Sequence, residues 1–343
     1  MKQTFLTCII VLITVTASAI EKEREIPAGI SQWIDSELAK ARRNTLMDFE
    51  AGEFFQTDTA RLIGYINGYD SLAGFSTGMI SARNQITRED YPLVVQIRED
   101  GRFEVSIPMN YPDYMGVWFE DAVIYFYIQP GQTLAILSDW EDSRFKNIRY
   151  QGVTAGINSE LSAFNAQLPT LPTGKIYSGR EGKSPDEFKS FLRETLSEYT
   201  AAYQRLLETE KLSELSKNFL RDDYQIWYAM FLFEYEVDRK NSNQMPLEFY
   251  DFLQDIPMNN RELLSTQSFS RFINRLEYCQ PFMNVIRETM KRQIPEKTYT
   301  QYLFEELNIP KTPEDEAFIQ MQDSINIKIN SPEISQEEKD KLQ

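Results

Sequence analysis

Apolar residues follow three patterns in succession along this chain of 343 residues. An apolar N-terminal stretch comes first, and a short segment follows in which Ile30, Ile34 and Leu38 recur at helical spacing. Alternating and β-branched runs then occupy residues 58–150, and helix-spaced apolar stripes fill most of the remainder. This order predicts an α+β protein, in which an N-terminal antiparallel β-sandwich or partial barrel is followed by an all-helical domain.

The most specific strand signal is a hairpin over residues 93–107. Its two alternating runs are separated by a turn that contains Asp100-Gly101, and Asp-Gly supplies the left-handed backbone conformation that such turns need. Because side chains alternate across a strand, three residues of the second run are predicted to share one face. These residues are Phe103, Val105 and Ile107.

A second turn is predicted at Pro130-Gly131, between strands over Val117–Ile128 and Thr133–Leu137. Together with a strand that begins near Thr59, these runs indicate five or six antiparallel strands.

Helical patterns dominate after Gly152. Ser184-Pro185 with Glu187 has the composition of a capping box, with proline at the first helical position. The Thr312-Pro313 and Ser331-Pro332 pairs repeat the cap-then-proline pattern. The predicted helices cover residues 30–44, 184–206, 215–239, 247–253, 263–278, 282–307 and 314–325, and an acidic helix begins near Ser335.

Composition shifts divide the chain into five parts. Residues 1–19 are predicted to be a signal peptide, and 20–57 a leader with a short helix. The β module covers 58–150, and a helix with a Pro/Gly-rich linker covers 151–183. Residues 184–343 form the helical domain, which we expect to be truncated at its C-terminal end because the chain stops within a helical pattern.

The N-terminus has the composition of an export signal. Lys2 precedes an apolar run over residues 5–15, and Ala17-Ser18-Ala19 provides a small-residue cleavage site. The run is too short for a membrane span, and Cys8 lies in a poor lipobox. We therefore predict an exported protein of the periplasm or cell envelope, with no transmembrane segment in the mature chain.

Charge and residue counts exclude several functions. The net charge is −16, which disfavours nucleic-acid binding because phosphate backbones are anionic. The chain has no histidine, and only Cys279 remains after the signal is removed, so neither an intrachain disulfide nor a Ser-His or Cys-His pair can form. The sequence predicts no cofactor, no metal site and no catalytic residue.

Two polar motifs have ordinary explanations. Gly179–Ser184 ends in Gly-Lys-Ser, but Tyr177 stands where a phosphate-binding loop needs glycine, so the segment is interpreted as a loop before a capped helix. Acidic groups could hold calcium or form a glycosidase pair, but at this net charge they are interpreted as solvated surface. These groups are Asp139–Asp142, Asp222-Asp223 and Glu234–Asp238.

Five residues are weak candidates for function. Cys279 is the lone thiol, and we interpret it as a buried side chain on a helix because no resolving cysteine or positive neighbour activates it. Four aromatic residues could stack on a ligand, although aromatic residues in strands more often belong to the core. They are Tyr111, Tyr114, Trp118 and Trp140.

Several segments resemble one family. The segments DTARLIGYINGYD, ITREDYP and EDGRFE (residues 58–70, 86–92 and 99–104) are similar to the N-terminal β-rich region of thioredoxin-like proteins of the bacterial cell envelope. YIQPGQTL (127–134) and residues 152–164 resemble the second half of that region. In this family a helical region and a C-terminal thioredoxin domain follow, and a Cys-x-x-Cys motif in that domain exchanges disulfides.

The resemblance implies a role without catalysis. No Cys-x-x-Cys occurs here, so no redox residue can be transferred to this sequence. We expect a scaffold or partner-binding module for a redox domain absent from this chain, with envelope proteins or that missing thioredoxin domain as partners. The alternative is a stand-alone periplasmic or surface module that binds glycan or peptide through its aromatic β region, and an enzyme acting through carboxylates alone comes third.

Overall fold

A computed structural model describes residues 24–70, 72–237, 245–293, 304 and 310–329. The predicted signal peptide, the Ser331-Pro332 cap and the acidic helix near Ser335 lie outside the described residues.

Eight strands form one nearly closed sheet in the order β6-β5-β2-β3-β4-β1-β7-β8. The strands are β1 (Asp58–Asn67), β2 (Thr77–Arg83), β3 (Asp90–Ile97), β4 (Arg102–Met109), β5 (Asp113–Phe119), β6 (Ala122–Ile128), β7 (Thr133–Glu141) and β8 (Arg144–Gly152). All pairs are antiparallel except β1 with β7. A hydrogen bond of 2.9 Å from the Tyr150 hydroxyl to the Tyr125 carbonyl links the two edges of the sheet. The predicted α+β class is confirmed.

The hairpin predicted at Asp100-Gly101 is confirmed. Gly101 has φ +83°, and the Arg98 amide donates to the Arg102 carbonyl at 2.8 Å across the turn. Phe103 and Ile107 are buried inside the barrel, while Val105 is half-buried against the same cluster.

The prediction of a single strand over residues 117–128 was wrong. Glu120 has φ +50°, and a tight turn at Glu120-Asp121 separates β5 from β6. Since this run contains two strands and β8 follows Asp142-Ser143, the structure has eight strands where the sequence indicated five or six.

One described helix precedes the strands in the chain, and the other described helices follow them. They are α1 (Ala28–Leu38), α2 (Ala155–Ala166), α3 (Thr173–Ser178), α4 (Pro185–Thr195), α5 (Ser197–Thr209), α6 (Glu214–Val237), α7 (Phe269–Tyr278), α8 (Gln280–Gln293) and α9 (Pro313–Ile329), with 3₁₀ segments at Leu247–Asp255 and Arg261–Ser265. The Ser184 capping box is confirmed, because the Glu187 amide donates to Ser184 Oγ and the Ser184 amide donates to the Glu187 carboxylate.

Helix boundaries differ from the predictions in several places. The apolar stripe over residues 184–206 forms two helices, α4 and α5, which are separated at Leu196. Helix α1 ends at Leu38 and does not extend to residue 44. The helix predicted over residues 263–278 is interrupted, since the 3₁₀ segment ends at Ser265 and α7 begins at Phe269. The stretch interpreted as a linker contains α3, in which Ile176 is fully buried.

Three of the apolar clusters among the described residues pack helices and strands together. The barrel interior is one of them, with Phe103, Phe119 and Phe126 fully buried. Helix α1 packs its Ile34 against the outer side of β1 and β7. Helices α2, α5 and α6 pack on β6 around Tyr127.

The chain divides into two compact units. Described residues up to Arg275 form the first, and those from Leu276 onward form the second. None of the helices in the described part of the chain combines the length and the hydropathy of a membrane span.

Candidate functional site

Strands β2 and β5 diverge soon after they meet. Their antiparallel pairing covers only Met79 with Trp118 and Ile80 with Val117, whereas β2 pairs with β3 along its whole length. A cleft of about 240 Å³ lies where the two strands separate. Its lining residues are Ser81, Arg83, Gln85, Asp113, Tyr114, Met115, Gly116, Trp118, Tyr125 and Gln267.

Hydrogen bonds fix the end of β2 that diverges from β5. The Gln85 amide donates to the Tyr111 hydroxyl at 2.6 Å, and the Ser270 amide donates to Gln85 Oε1 at 2.9 Å. Arg83 donates to both carboxylate oxygens of Asp90, at 2.6 and 2.9 Å. The first turn of α7 therefore braces this wall of the cleft through Ser270, so the cleft is largely preformed.

The opposite wall is held by a separate contact. Ser265 Oγ donates to the Pro112 carbonyl at 2.8 Å, at the residue that precedes β5. Both walls are thus bound to residues 265–270, and they cannot move apart without breaking these bonds.

Asp113 lies at the start of β5 and is buried, with 6% of its surface exposed. Its carboxyl group accepts a hydrogen bond from the Tyr114 amide, but its Oδ1 has no hydrogen-bond partner among the described residues. Burial raises the pKa of Asp113 well above the usual value for aspartate. A buried carboxyl oxygen without a partner is energetically unfavourable. Asp113 is in register with Met115 and Val117, so its side chain belongs to the barrel-interior face of β5, opposite the face that carries Trp118.

Asp113 also lines a second, much smaller cavity. That cavity measures about 10 Å³ and includes Tyr91, Asn110 and Tyr111 in its wall. A volume of this size admits at most a water molecule. Of the two spaces beside Asp113, the β2–β5 cleft is therefore the one that could receive an organic ligand.

Aromatic rings form one side of the cleft. Trp118 is 42% exposed and Tyr125 is 38% exposed, and Tyr125 stacks on the half-buried Tyr114 with ring centroids 5.7 Å apart. Gly116 leaves room for this arrangement, because a Cβ there would lie 2.7 Å from Val123 Cγ2 and 3.3 Å from the Tyr125 ring. Flat, exposed rings beside buried polar groups are typical of ligand sites.

The aromatic candidates from the sequence have different positions. Tyr114 and Trp118 line the cleft, and Tyr111 supports it from below through its hydroxyl group. Trp140 packs against Phe75 and Phe145, each with a ring-centroid distance of 4.9 Å, at the barrel core. The lining residues that sequence reasoning missed are Ser81, Arg83, Gln85, Asp113, Met115, Gly116, Tyr125 and Gln267.

Cys279 is buried, and it lies between α7 and α8. It does not line the cleft.

The interpretation of the acidic groups as solvated surface is wrong for several of their residues, although Asp142 is exposed. Asp139 is buried, with Oδ2 accepting from Asn147 Nδ2 at 2.8 Å. Glu234 is buried and pairs with Arg271 and Arg275 at 2.7 and 3.1 Å. Both carboxylates have hydrogen-bond or ion-pair partners inside the fold, because most residues of β7 and many of α6 are buried.

Other acidic side chains of α6 are also shielded from water. Burial raises the pKa of Asp223 to about 7 and that of Asp222 to about 6, although Asn260 Nδ2 donates to Asp222 at 2.8 Å. Glu236 is buried and accepts from the Tyr250 hydroxyl at 2.6 Å. Within the described residues, no group of three or more Cys, Asp or Glu side chains is placed to hold a metal ion.

A larger cavity of about 860 Å³ lies along α5 and α6. Two of its tyrosine hydroxyls already have partners, since Tyr203 donates to the Leu220 carbonyl at 2.5 Å and Tyr224 bonds to Thr200 at 2.7 Å. Its wall contains none of the buried polar atoms that lack a partner. We therefore regard the smaller β2–β5 cleft as the better candidate site.

The Gly179–Ser184 segment follows helix α3, not a strand, and leads into the capped α4. This position agrees with the interpretation as a loop and disagrees with a phosphate-binding loop, which follows a strand.

Comparison of the chain with family models, with curated proteins and with solved structures gave no match. The resemblance to envelope thioredoxin-like proteins therefore stays a prediction. Function has to be argued from the residues of the cleft.

Proposed function

We propose that this chain is the non-catalytic binding module of an exported envelope protein, and that it binds a glycan or a peptide in the β2–β5 cleft. The observation that carries this proposal is the β2–β5 cleft itself, in which the exposed rings of Trp118 and Tyr125 lie beside the polar side chains of Ser81, Gln85 and Gln267. Polar groups that converge under exposed aromatic rings bind ligands by stacking and hydrogen bonding together.

The composition of the cleft favours binding over carboxylate chemistry. Asp113 is the only acidic residue in its lining, and glycoside hydrolysis requires two carboxyl groups on opposite sides of the bond. Arg83 is already engaged by Asp90 in a bidentate pair, which leaves it suited to shaping the wall.

Replacement of Trp118 with alanine should weaken ligand binding at least tenfold, because the variant loses the most exposed ring of the cleft. Arrays of immobilised oligosaccharides and synthetic peptides would first identify a ligand for the mature protein. Calorimetric titration of the wild type and of Trp118→Ala would then give the ratio of dissociation constants.

Tyr177→Ala is the matched control for this experiment. Tyr177 is 41% exposed, close to the value for Trp118, and it lies on α3 outside the cleft lining. Equal binding by the wild type and Trp118→Ala, or no ligand on either array, would contradict the proposal.

A second candidate function is the one that the family resemblance implies, a scaffold for a redox domain. It is favoured by the burial of Cys279, since a buried thiol is poorly placed to exchange disulfides itself. We expect the intact mass of the native protein from the cell envelope to exceed that of residues 20–343 by a domain of about 100–150 residues. A mass that matches residues 20–343 alone would contradict a covalently attached redox domain.

A further inference from the structure

The α5–α6 groove is the larger cavity of about 860 Å³ between these two helices. The Thr200 hydroxyl bonds to Tyr224 and the Tyr203 hydroxyl donates to the Leu220 carbonyl, so α5 and α6 run antiparallel along the groove. The last turn of α4 and the end of the 3₁₀ segment Leu247–Asp255 complete its wall. Its volume lies in the range of roughly 300–1,000 Å³ that holds organic ligands.

The wall of the groove is mainly apolar. Its apolar members are Leu196, Ala201, Leu207, Phe252 and Ile256. The rings of Tyr203 and Tyr224 add to this surface, with centroids 4.7 Å apart, and both hydroxyl groups already have partners. A peptide backbone would find few partners for its amides and carbonyls on such a wall, whereas a hydrocarbon chain needs none.

The charge of the groove lining is opposite in sign to that of the protein. Arg193 and Arg221 line the groove together with one aspartate, Asp255, whereas the whole chain carries a net charge of −16. Neither arginine forms an ion pair with a described residue. Two arginines that lack an ion pair beside an apolar wall favour a ligand with an apolar body and an anionic group.

The two arginines differ in their neighbours. Arg221 donates to Asn218 Oδ1 at 3.4 Å. The Lys217 hydrogen bond lowers the pKa of Glu214, and the charge of Arg221 adds to this effect. A carboxylate on the same helix therefore already lies within electrostatic range of Arg221.

Arg193 has a tyrosine hydroxyl as its neighbour instead. Burial raises the pKa of Tyr228, and the Arg193 guanidinium beside it opposes this increase. Asp251 also acts on Tyr228, but it is paired with Lys189 at 2.5 Å. Because α5 and α6 are antiparallel, Arg193 and Tyr228 lie together at one end of the groove, where they provide two donors for a carboxylate.

We propose that the α5–α6 groove binds one free long-chain carboxylate, whose chain lies along the apolar wall and whose carboxylate group is held by Arg193 and Tyr228. A guanidinium group can donate two parallel hydrogen bonds to a carboxylate, so Arg193 would fix the head group at its end of the groove. The groove and the β2–β5 cleft share no lining residue, so this inference does not rest on the proposed function.

Arg193→Met tests the position of the head group. It removes the positive charge and keeps an unbranched apolar stem, so decanoate should bind at least about tenfold more weakly, the loss expected for a hydrogen bond to a charged group. Decanol has no charge and should bind the variant and the wild type about equally. Arg205→Met is the matched control, since Arg205 is exposed on α5 outside the groove lining.

Ala201→Trp tests the position of the chain. Ala201 is exposed on α5 and lines the groove, so a tryptophan there fills the space without removing a core side chain. Decanoate and decanol should both bind this variant at least about tenfold more weakly, because the filled groove can no longer cover the chain. Ala163→Trp makes the same change at an exposed position of α2 outside the lining and should bind both ligands like the wild type. A urea midpoint close to that of the wild type would show that each variant folds.

The test is calorimetric titration of the mature protein, freed of bound lipid, with octanoate, decanoate, dodecanoate, decanol and decyltrimethylammonium at pH 7. Each added CH₂ group should tighten carboxylate binding roughly three- to fourfold as long as the groove covers it. Decyltrimethylammonium should bind at least about tenfold more weakly than decanoate, because it cannot pair with Arg193. Trp118→Ala should bind decanoate as tightly as the wild type, since Trp118 lies in the β2–β5 cleft.

Several results would overturn the proposal. If no carboxylate binds, or if Ala201→Trp leaves binding unchanged, the groove is not a site for a carboxylate chain. A loss with Arg221→Met but not with Arg193→Met would contradict the position of the head group, and tighter binding of decyltrimethylammonium than of decanoate would contradict the charge argument. If an acidic amphipathic peptide binds in an Ala201-dependent manner and no carboxylate does, the ligand class is wrong. None of these results bears on the ligand proposed for the β2–β5 cleft, which Trp118→Ala tests separately.

Discussion

Gly64→Ala should destabilise the protein by about 3 kcal/mol or more, near the upper end of the range for overpacked cores. Gly64 lies in the middle of β1, opposite Phe103 of β4 and Ile136 of β7. A Cβ at this position would overlap the Phe103 ring and lie 2.7 Å from the Ile136 carbonyl oxygen. Phe103 is 1% exposed and packs against Phe119. Moving the Phe103 ring or the Ile136 backbone away from the new methyl group would therefore disrupt the packed core.

Urea denaturation would measure this effect as a lower midpoint at an unchanged slope. Gly156→Ala is the matched control, because no atom lies within 4 Å of a Cβ built on Gly156 in α2. That substitution should be neutral or stabilise the helix by about 0.5–1 kcal/mol. A loss below 1 kcal/mol for Gly64→Ala would show that the barrel core adapts more easily than this packing implies.

The Phe103→Leu variant provides a second check. If the clash with the ring dominates, Gly64→Ala should cost less in the Phe103→Leu background than in the wild type, and the double-mutant cycle gives the coupling. Strictly additive losses would place the strain at the Ile136 carbonyl instead.

Features that depend on neighbouring residues were predictable from the sequence. The Asp100-Gly101 turn and the Ser184 cap both follow from local backbone chemistry, and both occur as predicted. Alternation also placed Phe103 and Ile107 in the core, because the period of a strand fixes which side chains share a face.

Features that depend on distant residues were not predictable in this way. The run over residues 117–128 is continuously apolar or aromatic apart from Glu120-Asp121, and its turn has neither glycine nor proline to mark it. The parallel pairing of β1 with β7 joins strands that are far apart in the chain, and no local pattern specifies it.

The candidate site depends on tertiary structure even more strongly. Tyr114 and Trp118 could be selected from the sequence because aromatic rings can stack on a ligand, and both lie on one face of β5. Gln85 and Tyr125 could not, since their place in the cleft comes from the divergence of β2 from β5 and the pairing of β5 with β6. For the same reason Asp139 and Glu234 were assigned to solvated surface, although helices and strands from elsewhere in the chain cover them.

Asn158→Asp should have an effect as large as that of Gly64→Ala, and one that varies with pH. Asn158 is 2% exposed on α2, where its Oδ1 accepts from the Tyr127 amide and its Nδ2 donates to the carbonyls of Tyr127 and Thr154 at 2.8 and 2.9 Å. An aspartate loses both donated bonds and directs a buried negative charge at two carbonyl oxygens. An uncompensated buried charge costs about 3–5 kcal/mol.

The pH dependence follows from the same geometry. The two carbonyls favour the protonated form of an aspartate at position 158, so its pKa is expected to be higher in the folded protein than in the unfolded chain. The variant should therefore be closest to wild-type stability near pH 4 and should lose stability as the pH rises to 7. Urea denaturation at both pH values measures this difference. Asn44→Asp makes the same chemical change at an exposed position and should stay within about 0.5 kcal/mol of the wild type at either pH.

The result also bears on the binding site. Asn158 holds the backbone of β6, and β6 carries Tyr125, one of the rings beside the cleft. If Asn158→Asp is as stable as the wild type at pH 7, the amide bonds to Tyr127 are not needed to fix the sheet edge.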